Sequence, residues 1–276
     1  MAFWRPYVKK SQRLTGSWPH PNGGGMVEVT AYVGRKVFVG EHARVSGYAH
    51  VSGTARITSG TVSGDAVIRG SATISGNVYG NALIHGNAVV GGTVYGNAEI
   101  CGNATIADIA KVYGRALVYG DSKVIDAADV LGDARIYGKA VIGGNALVSQ
   151  QANIYDNAIV KDNAVVCGYA QVSGYAQVLG YSHVSDFASV TGNAILRQRA
   201  RVYGTAKVFG WALLSGLCKV YGNATVTGTA EVLGRARISG DSMVSGTAII
   251  DFDAHIDGEC DIDEGTFNGS IDSSFW

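Results

Sequence analysis

The sequence predicts an all-β fold, a single-stranded, three-sided parallel β-helix, and two features of the chain lead to this prediction. From Ile100 to Ile262 an aliphatic residue recurs at every sixth position without interruption, and a small residue, usually alanine, lies two positions before it. A repeat of fixed length is typical of solenoids, in which each unit packs only on its neighbours. The second feature is the spacing before Ile100, which sets the number of units in one coil.

Three shortened spacings indicate how many six-residue units make one coil. The interval between successive aliphatic residues falls to five or four residues between Ile57 and Val62, between Ile74 and Val78, and between Val90 and Val94. Because the shortening returns at every third unit, we expect one corner of a three-sided coil to be shortened in successive layers. A full coil then holds about 18 residues, and about 13 coils stack at roughly 4.8 Å per strand.

The coil has three faces, which we call A, B and C, and each face is a column of inward aliphatic residues. Alternation along a strand points the aliphatic residue and the alanine inward, and it points the residues on either side of the aliphatic residue outward. Glycine followed by Asn, Asp or Thr falls at the corners, where these residues favour turns. The columns of faces A, B and C run from Val45 to Ile256, from Val51 to Ile262, and from Ile57 to Ile250.

The two ends of the chain fall outside the repeat. Trp4 and Trp18 are expected to anchor an irregular N-terminal cap, and a disordered arm that binds another molecule is the alternative. Phe275 and Trp276 are expected to fold over the last coil, because the end of a solenoid exposes unpaired backbone and apolar groups. The N-terminal cap or arm, the β-helix and the C-terminal cap are predicted at residues 1–32, 33–266 and 267–276.

Composition excludes several classes of protein. The 22 Lys and Arg balance the 22 Asp and Glu, so no overall field favours a nucleic acid or an anionic membrane as partner. The 39 glycines follow a six-residue period and not a collagen triplet, and no apolar run approaches the ~20 residues of a membrane helix. The N-terminus lacks the apolar core of a signal peptide, so we expect a cytoplasmic protein. No two of the four cysteines stack, so no disulfide ladder is expected.

The repeat unit resembles that of the bacterial hexapeptide-repeat superfamily. Residues 220–225, VYGNAT, are an example, and the resemblance covers about 230 residues from Val33 to Ile262. It implies a triangular left-handed β-helix with three units per coil, most like that of uncharacterised members without insertions. Bactofilin-type polymer-forming proteins, whose triangular helix is right-handed, are a more distant comparison.

The resemblance also implies an alternative function, that of a CoA-dependent acyltransferase with a site between subunits. Acyltransferases and γ-class carbonic anhydrases of this superfamily have a loop ejected from the coil and a histidine aimed into an intersubunit cleft. This chain has no insertion between Ile100 and Ile262, and its six histidines do not cluster. We therefore favour a non-enzymatic scaffold or interaction protein, without a catalytic site, a cofactor or a metal.

Two groups of reactive side chains have a chemical and a structural interpretation. His85 and Cys101 take the same outward position on adjacent coils of face B, with Glu99 beside them. A Cys–His pair with a carboxylate forms a nucleophile in some enzymes, but a flat wall does not exclude water, so we interpret the three as chance neighbours. Residues 253–264 nearly match the spacing of a calcium loop, yet they keep the solenoid phase and are expected to be extended.

Outward tyrosines form a candidate ligand ladder. Stacked rings present apolar area to a protein or glycan partner at low entropic cost, whereas packing that only stabilises the sheet is the interpretation we favour. A second, shorter ladder consists of Tyr203 and Tyr221 on face A. The candidate ladder comprises Tyr79, Tyr95, Tyr113, Tyr119, Tyr137 and Tyr155.

Self-association is the most specific expectation from the sequence. On face C, eight successive coils expose an outward aliphatic residue, and a soluble monomer rarely leaves so long an apolar strip in water. We expect a homodimer or homotrimer to bury this strip, with cover by the N-terminal segment or by a different protein as the alternatives. The predicted interface residues are Ile125, Val141, Ile159, Leu179, Ile195, Leu213, Leu233 and Ile249.

Overall fold

The structure is a computed structural model that describes residues 16–272. The chain divides into two compact units, Met1–Gly132 and Asp133–Trp276, which we call unit 1 and unit 2. The described residues contain strands and turns and no helix, so the all-β prediction is confirmed. Trp4, Phe275 and Trp276, which are expected in the caps, lie outside the described residues.

The described part of unit 1 begins with a hairpin that the periodicity does not predict. Ser17–Pro19 pairs antiparallel with Met26–Glu28, which in turn pairs parallel with Phe38–Val45. Val27 lies beside Val45 in this pairing, and its side chain is buried. Among the described residues, the parallel pairing of face A therefore begins with Met26–Glu28, before the predicted start of the repeat.

The other strands of unit 1 are parallel and fall on the three predicted faces. Two longer strands pass from face C to face A, and they are Phe38–Val45 and Arg56–Val62. The strands of face B are Tyr32–Val33, His50–Val51, Val67–Ile68, Leu83–Ile84, Glu99–Ile100 and Leu117–Val118. The remaining strands of face C are Thr73–Ile74, Val89–Val90, Thr105–Ile106 and Lys123–Val124. The remaining strands of face A are Asn77–Val78, Thr93–Val94, Lys111–Val112 and Asp129–Val130.

The shortened corner between faces C and A is confirmed by the register of the strands. Val62, Val78 and Val94 pair in sequence across successive coils, so face A stays aligned although the corner before each of them has lost residues. The tighter path brings neighbouring backbones very close together. A Cβ atom added to Gly76 would overlap the carbonyl oxygen of Gly92, so glycine is required there.

From Arg135 to Ile262, unit 2 repeats an 18-residue coil without a shortened corner, and the last coil is shorter, because Ile249 pairs with Thr266 and His255 pairs with Ser270. The strands of face B are Arg135–Ile136, Asn153–Ile154, Gln171–Val172, Ser189–Val190, Lys207–Val208, Thr225–Val226, Met243–Val244 and Asp261–Ile262. The strands of face C are Val141–Ile142, Ile159–Val160, Gln177–Val178, Ile195–Leu196, Leu213–Leu214, Glu231–Val232, Ile249–Ile250 and Thr266–Phe267. The strands of face A are Leu147–Val148, Val165–Val166, His183–Val184, Arg201–Val202, Lys219–Val220, Arg237–Ile238, His255–Asp257 and Ser270–Asp272.

The number of coils agrees closely with the sequence. Face B has fourteen strands in the described residues, six in unit 1 and eight in unit 2, against about 13 expected coils.

Thr266–Phe267 pairs with Ile249–Ile250, and Ser270–Asp272 pairs with His255–Asp257. Parallel pairing in unit 2 thus continues past the predicted end of the β-helix at residue 266.

The core of each unit is built from the predicted inward positions. In unit 2, for example, Ala170 and Val172 have no exposed surface. Small polar residues replace alanine at some inward positions, as Ser182 and Cys218 do, and they too are fully buried. The inward and outward assignment of the six-residue unit is therefore correct, and each coil contributes apolar area that its neighbours cover.

Substitution of one inward residue tests this assignment. Val172→Asp places an unpaired charge in a dry core, so we expect it to lower the free energy of unfolding by on the order of several kcal/mol. Gln171→Asp, at the exposed neighbouring position of the same strand, is the matched control and should change it by less than about 1 kcal/mol. Chemical denaturation of both variants measures the difference, and equal stabilities would contradict the assignment.

Candidate functional site

The structure places the predicted interface residues on the outside of face C, but in two columns. All eight side chains are half-buried. In unit 2 the column before the inward residue holds five of the aliphatic residues, in the order Val141, Ile159, Ile195, Leu213 and Ile249, and two polar residues interrupt it.

The interruptions are Gln177, between Ile159 and Ile195, and Glu231, between Leu213 and Ile249. In these two coils the aliphatic residue lies on the other side of the inward residue. These residues, Leu179 and Leu233, lie in a second column, whose other positions in unit 2 are polar, charged or glycine: Gly143, Lys161, Arg197, Ser215 and Asp251. Ile125 lies in unit 1.

Strongly exposed aromatic side chains lie at corners of unit 2, and the six-residue period alone does not predict them. Tyr175, Phe187 and Trp211 expose 62%, 62% and 68% of their surface. Each follows the residue of positive φ at a corner, at the position most often occupied by Asn, Asp or Thr. Reading every sixth residue from Tyr169 onward would have revealed a run of four aromatic residues that ends at Phe187.

The tyrosine ladders stack ring on ring. Tyr95 lies between Tyr79 and Tyr113, with ring centroids 5.0 and 4.7 Å away and planes within 10°. Tyr137 and Tyr155 stack at 5.0 Å in unit 2. Because each ring covers the face of its neighbour, these contacts fit the interpretation that the ladders stabilise the sheet. Burial is the main cause that raises the pKa of Tyr95 and Tyr113.

A column of basic residues follows face A of unit 2. The strand register places five residues in one outward column, in the order His183, Arg201, Lys219, Arg237 and His255. Burial, followed by the charge of Arg201, lowers the pKa of His183. The column becomes evident when the sequence is read at intervals of 18 residues, and the zero net charge of the chain conceals it.

The adjoining corner extends the column sideways. Arg199 and Arg235 lie on either side of Leu217. These three residues and the three central residues of the column line an open cleft of about 290 Å³. Within residues 16–272, no salt bridge involves Arg199, Arg235 or the three central residues of the column. Like charges directly opposite each other on a sheet repel, so the arrangement favours an anionic ligand.

His85, Glu99 and Cys101 come together on face B of unit 1. The Nε2 atom of His85 is 2.8 Å from a carboxylate oxygen of Glu99, and the three ligand atoms lie within 4.8 Å of one another. All three side chains are half-buried. Burial, followed by the negative charge of Glu99, raises the pKa of Cys101.

The four cysteines are free thiols. Cys218 and Cys260 point inward and are buried, and burial raises the pKa of Cys218 to about 12. Cys101 and Cys167 are half-buried at outward positions, as predicted. In unit 2, the Sγ atom of Cys167 lies 3.7 Å from the Nε2 atom of His183.

The segment with near-calcium-loop spacing is extended. His255–Asp257 is a strand that pairs with Arg237–Ile238, and the inward Ala254 and Ile256 are fully buried. The prediction that this segment keeps the solenoid phase is therefore confirmed. The carboxylate of Asp257 accepts a hydrogen bond from Ser239 at 2.8 Å, which is the main cause that lowers its pKa.

Comparison with known proteins supports a β-solenoid repeat. A family model described as the YdcK β-solenoid repeat matches residues 152–168, about one coil of unit 2. No curated protein matches the chain. The match and the structure together show a β-solenoid repeat protein, while left-handedness stays a prediction. In the part of the chain that the structure describes, no helix is long and apolar enough to cross a membrane.

Proposed function

We propose that this chain is a non-enzymatic β-solenoid scaffold or interaction protein, similar to insertion-free hexapeptide-repeat proteins, that self-associates through face C. The observation that carries the proposal is the aliphatic column on face C of unit 2, with Leu179 and Leu233 beside its two polar interruptions. This column spans six strand steps from Val141 to Ile249, about 29 Å. A cytoplasmic location belongs to the same proposal and is consistent with the four free thiols.

The order of residues in the two columns favours a two-fold dimer with antiparallel partners. The two-fold axis would be parallel to the strands and lie between the coils of Ile195 and Leu213. It would reverse the order of the coils in the second copy and place each column opposite the same column of that copy. Ile195 of one copy would then face Leu213 of the other. In the second column, Leu179 would face Leu233.

The same axis places the two polar interruptions opposite each other. Gln177 of one copy would face Glu231 of the other, and an amide that donates to a carboxylate satisfies both groups in an interface. A parallel two-fold would instead place Gln177 opposite Leu179 in the same coil and leave both polar groups unpaired. The antiparallel arrangement is therefore the one we propose.

We further propose that the basic column of unit 2 binds an acidic polysaccharide. The column and its flanking corner form an open strip over five coils and not an enclosed pocket, which suits an extended chain with repeated negative charges. Each nearby ring has one face in contact with a neighbour, because Tyr203 and Tyr221 stack on each other at 5.0 Å and Arg199 lies over Tyr181. These contacts favour a glycan over a single-stranded nucleic acid.

The acyltransferase alternative requires an ejected loop that carries a histidine. Between residues 100 and 262, the structure has only the short corners of the repeat. Protection of the chain by acetyl-CoA in a thermal melt would favour this alternative over the scaffold.

Disruption of face C tests the dimer. Leu179→Arg with Ile195→Glu places charges at the centre of the proposed interface, so we expect the dimeric mass to fall to that of a monomer in light scattering. Gln171→Glu with Met243→Arg makes the same charge changes on face B and should leave the dimer intact. A wild-type monomer at micromolar concentration would contradict self-association, and an unchanged mass in the face C variant would contradict the choice of face.

Charge changes at Gln177 test the antiparallel register. Gln177→Lys should lower the Kd of the dimer, because the new positive charge faces Glu231 of the other copy. Gln177→Glu should raise the Kd by at least about fivefold, because two negative charges then face each other. Adding Glu231→Gln should remove most of the difference between the two variants. Sedimentation equilibrium measures the constants, and a difference that persists without Glu231 would exclude this register.

Charge reversal tests the basic column. Lys219→Glu with Arg237→Glu should weaken binding of heparin, used as an acidic polysaccharide probe, by at least about tenfold and make it less sensitive to salt. Arg135→Glu with Lys207→Glu makes the same net change at exposed positions of face B and should have little effect. Equal losses in both variants, or tighter binding of single-stranded DNA than of heparin, would contradict the proposal.

A further inference from the structure

We propose that His85, Glu99 and Cys101 bind a divalent transition-metal ion of the zinc type on face B of unit 1. The set combines an imidazole nitrogen, a carboxylate oxygen and a thiol sulfur, whose ligand atoms lie within 4.8 Å of one another. It is the one group of three such residues that meets this distance within residues 16–272. The inference is independent of the scaffold function and of face C.

The strand register brings these residues together. Glu99 and Cys101 flank the inward Ile100, so they point to the same outer side of the sheet. Ile84 pairs with Ile100 across the neighbouring coil, which places His85 beside Cys101.

The backbone under these side chains is fixed by the ladder between coils. The amide of His85 donates to the carbonyl of Ile100 at 3.0 Å, and the amide of Cys101 donates to that of Val118 at 3.0 Å. The ligands are thus held on a rigid support, and only their side-chain torsions remain to be ordered when an ion binds.

The distances fit coordination after small side-chain movements. Zinc binds sulfur at about 2.3 Å and nitrogen or oxygen at about 2.0–2.2 Å, so the ligand atoms of a tetrahedral ion lie roughly 3.3–3.8 Å apart. His85 and Glu99 are now 2.8 Å apart, in direct contact with each other, and would separate slightly as the ion enters between them. The other separations between ligand atoms, at most 4.8 Å, must close to the same range.

The chemistry of the donors selects the class of ion. A thiolate and an imidazole suit zinc and similar borderline ions, whereas magnesium and calcium prefer oxygen ligands. Cys101 must release its proton to solvent to bind as a thiolate, and the thiolate and the Glu99 carboxylate then attract a divalent cation. Three protein ligands leave one tetrahedral position open to water.

A second Cys–His pair in the chain provides an internal control. Cys167 and His183 are half-buried neighbours on adjacent coils of unit 2, with sulfur and nitrogen 3.7 Å apart. The nearby Asp186 accepts a hydrogen bond from the amide of Gly204 at 2.9 Å. Arg201, paired in register with His183, adds a positive charge that opposes a cation. The pair therefore has a thiol and an imidazole without a third ligand.

Cobalt(II) titration of the full, metal-free chain tests the proposal. We expect one equivalent of Co²⁺ to give a thiolate-to-metal charge-transfer band and the strong visible bands of a four-coordinate ion, and Zn²⁺ to displace it. Cys101→Ser should abolish the charge-transfer band. His85→Ala and Glu99→Gln should each weaken binding by at least about tenfold, while Cys167→Ser with His183→Ala should bind as the wild type does.

Thermal melts provide a second measurement on the same samples. Zn²⁺ should raise the Tm of the wild type, because a ligand that binds only the folded chain stabilises it, and it should not raise that of Cys101→Ser. The substituted side chains point outward, so the Tm values of the metal-free variants should match that of the wild type. The proposal is wrong if stoichiometric Co²⁺ gives no thiolate band, or if the band persists in Cys101→Ser and disappears in Cys167→Ser with His183→Ala.

Discussion

Parallel hydrogen bonding between successive coils is the constraint on which the rest of the structure depends. In unit 2 the amide of Gln171 donates to the carbonyl of Ala188, and the amide of Ser189 donates to that of Ala206, each at 2.9 Å. This pairing fixes each residue above the one that follows 18 positions later. Side chains at the same position of successive coils therefore form columns. The charge and polarity of each part of the surface are set by the residues of its column.

The sequence predicts the interior of this fold far better than its surface. The six-residue period and the alternation along strands place Val172 and Ala170 inward without further information, because burial imposes one requirement on every coil. The hairpin of Ser17–Pro19 and Met26–Glu28 escapes prediction because a single antiparallel pair has no period. Where the sequence departs from the period, as at the shortened corner near Gly76, the departure is regular and predicts the three-sided coil.

Surface chemistry was harder to predict because it requires the register between coils as well as the period within them. His85, Glu99 and Cys101 were recognised together, since they lie on adjacent strands and form one local group. The basic column was not, because Arg201 and Arg237 are separated by two full coils in sequence and the net charge of the chain is zero. Likewise, the division of face C into two columns depends on which side of the inward residue each aliphatic residue occupies.

The uninterrupted 18-residue coil of unit 2 has a consequence for how such a chain can evolve. Gain or loss of one whole coil preserves every inward contact, and it lengthens or shortens each surface column by a single residue. Gain of one residue within a strand, in contrast, would turn the following outward side chains into the core. The number of coils can therefore change while the residues of a surface site stay the same. Relatives that differ by whole coils can keep the same sites at altered separations.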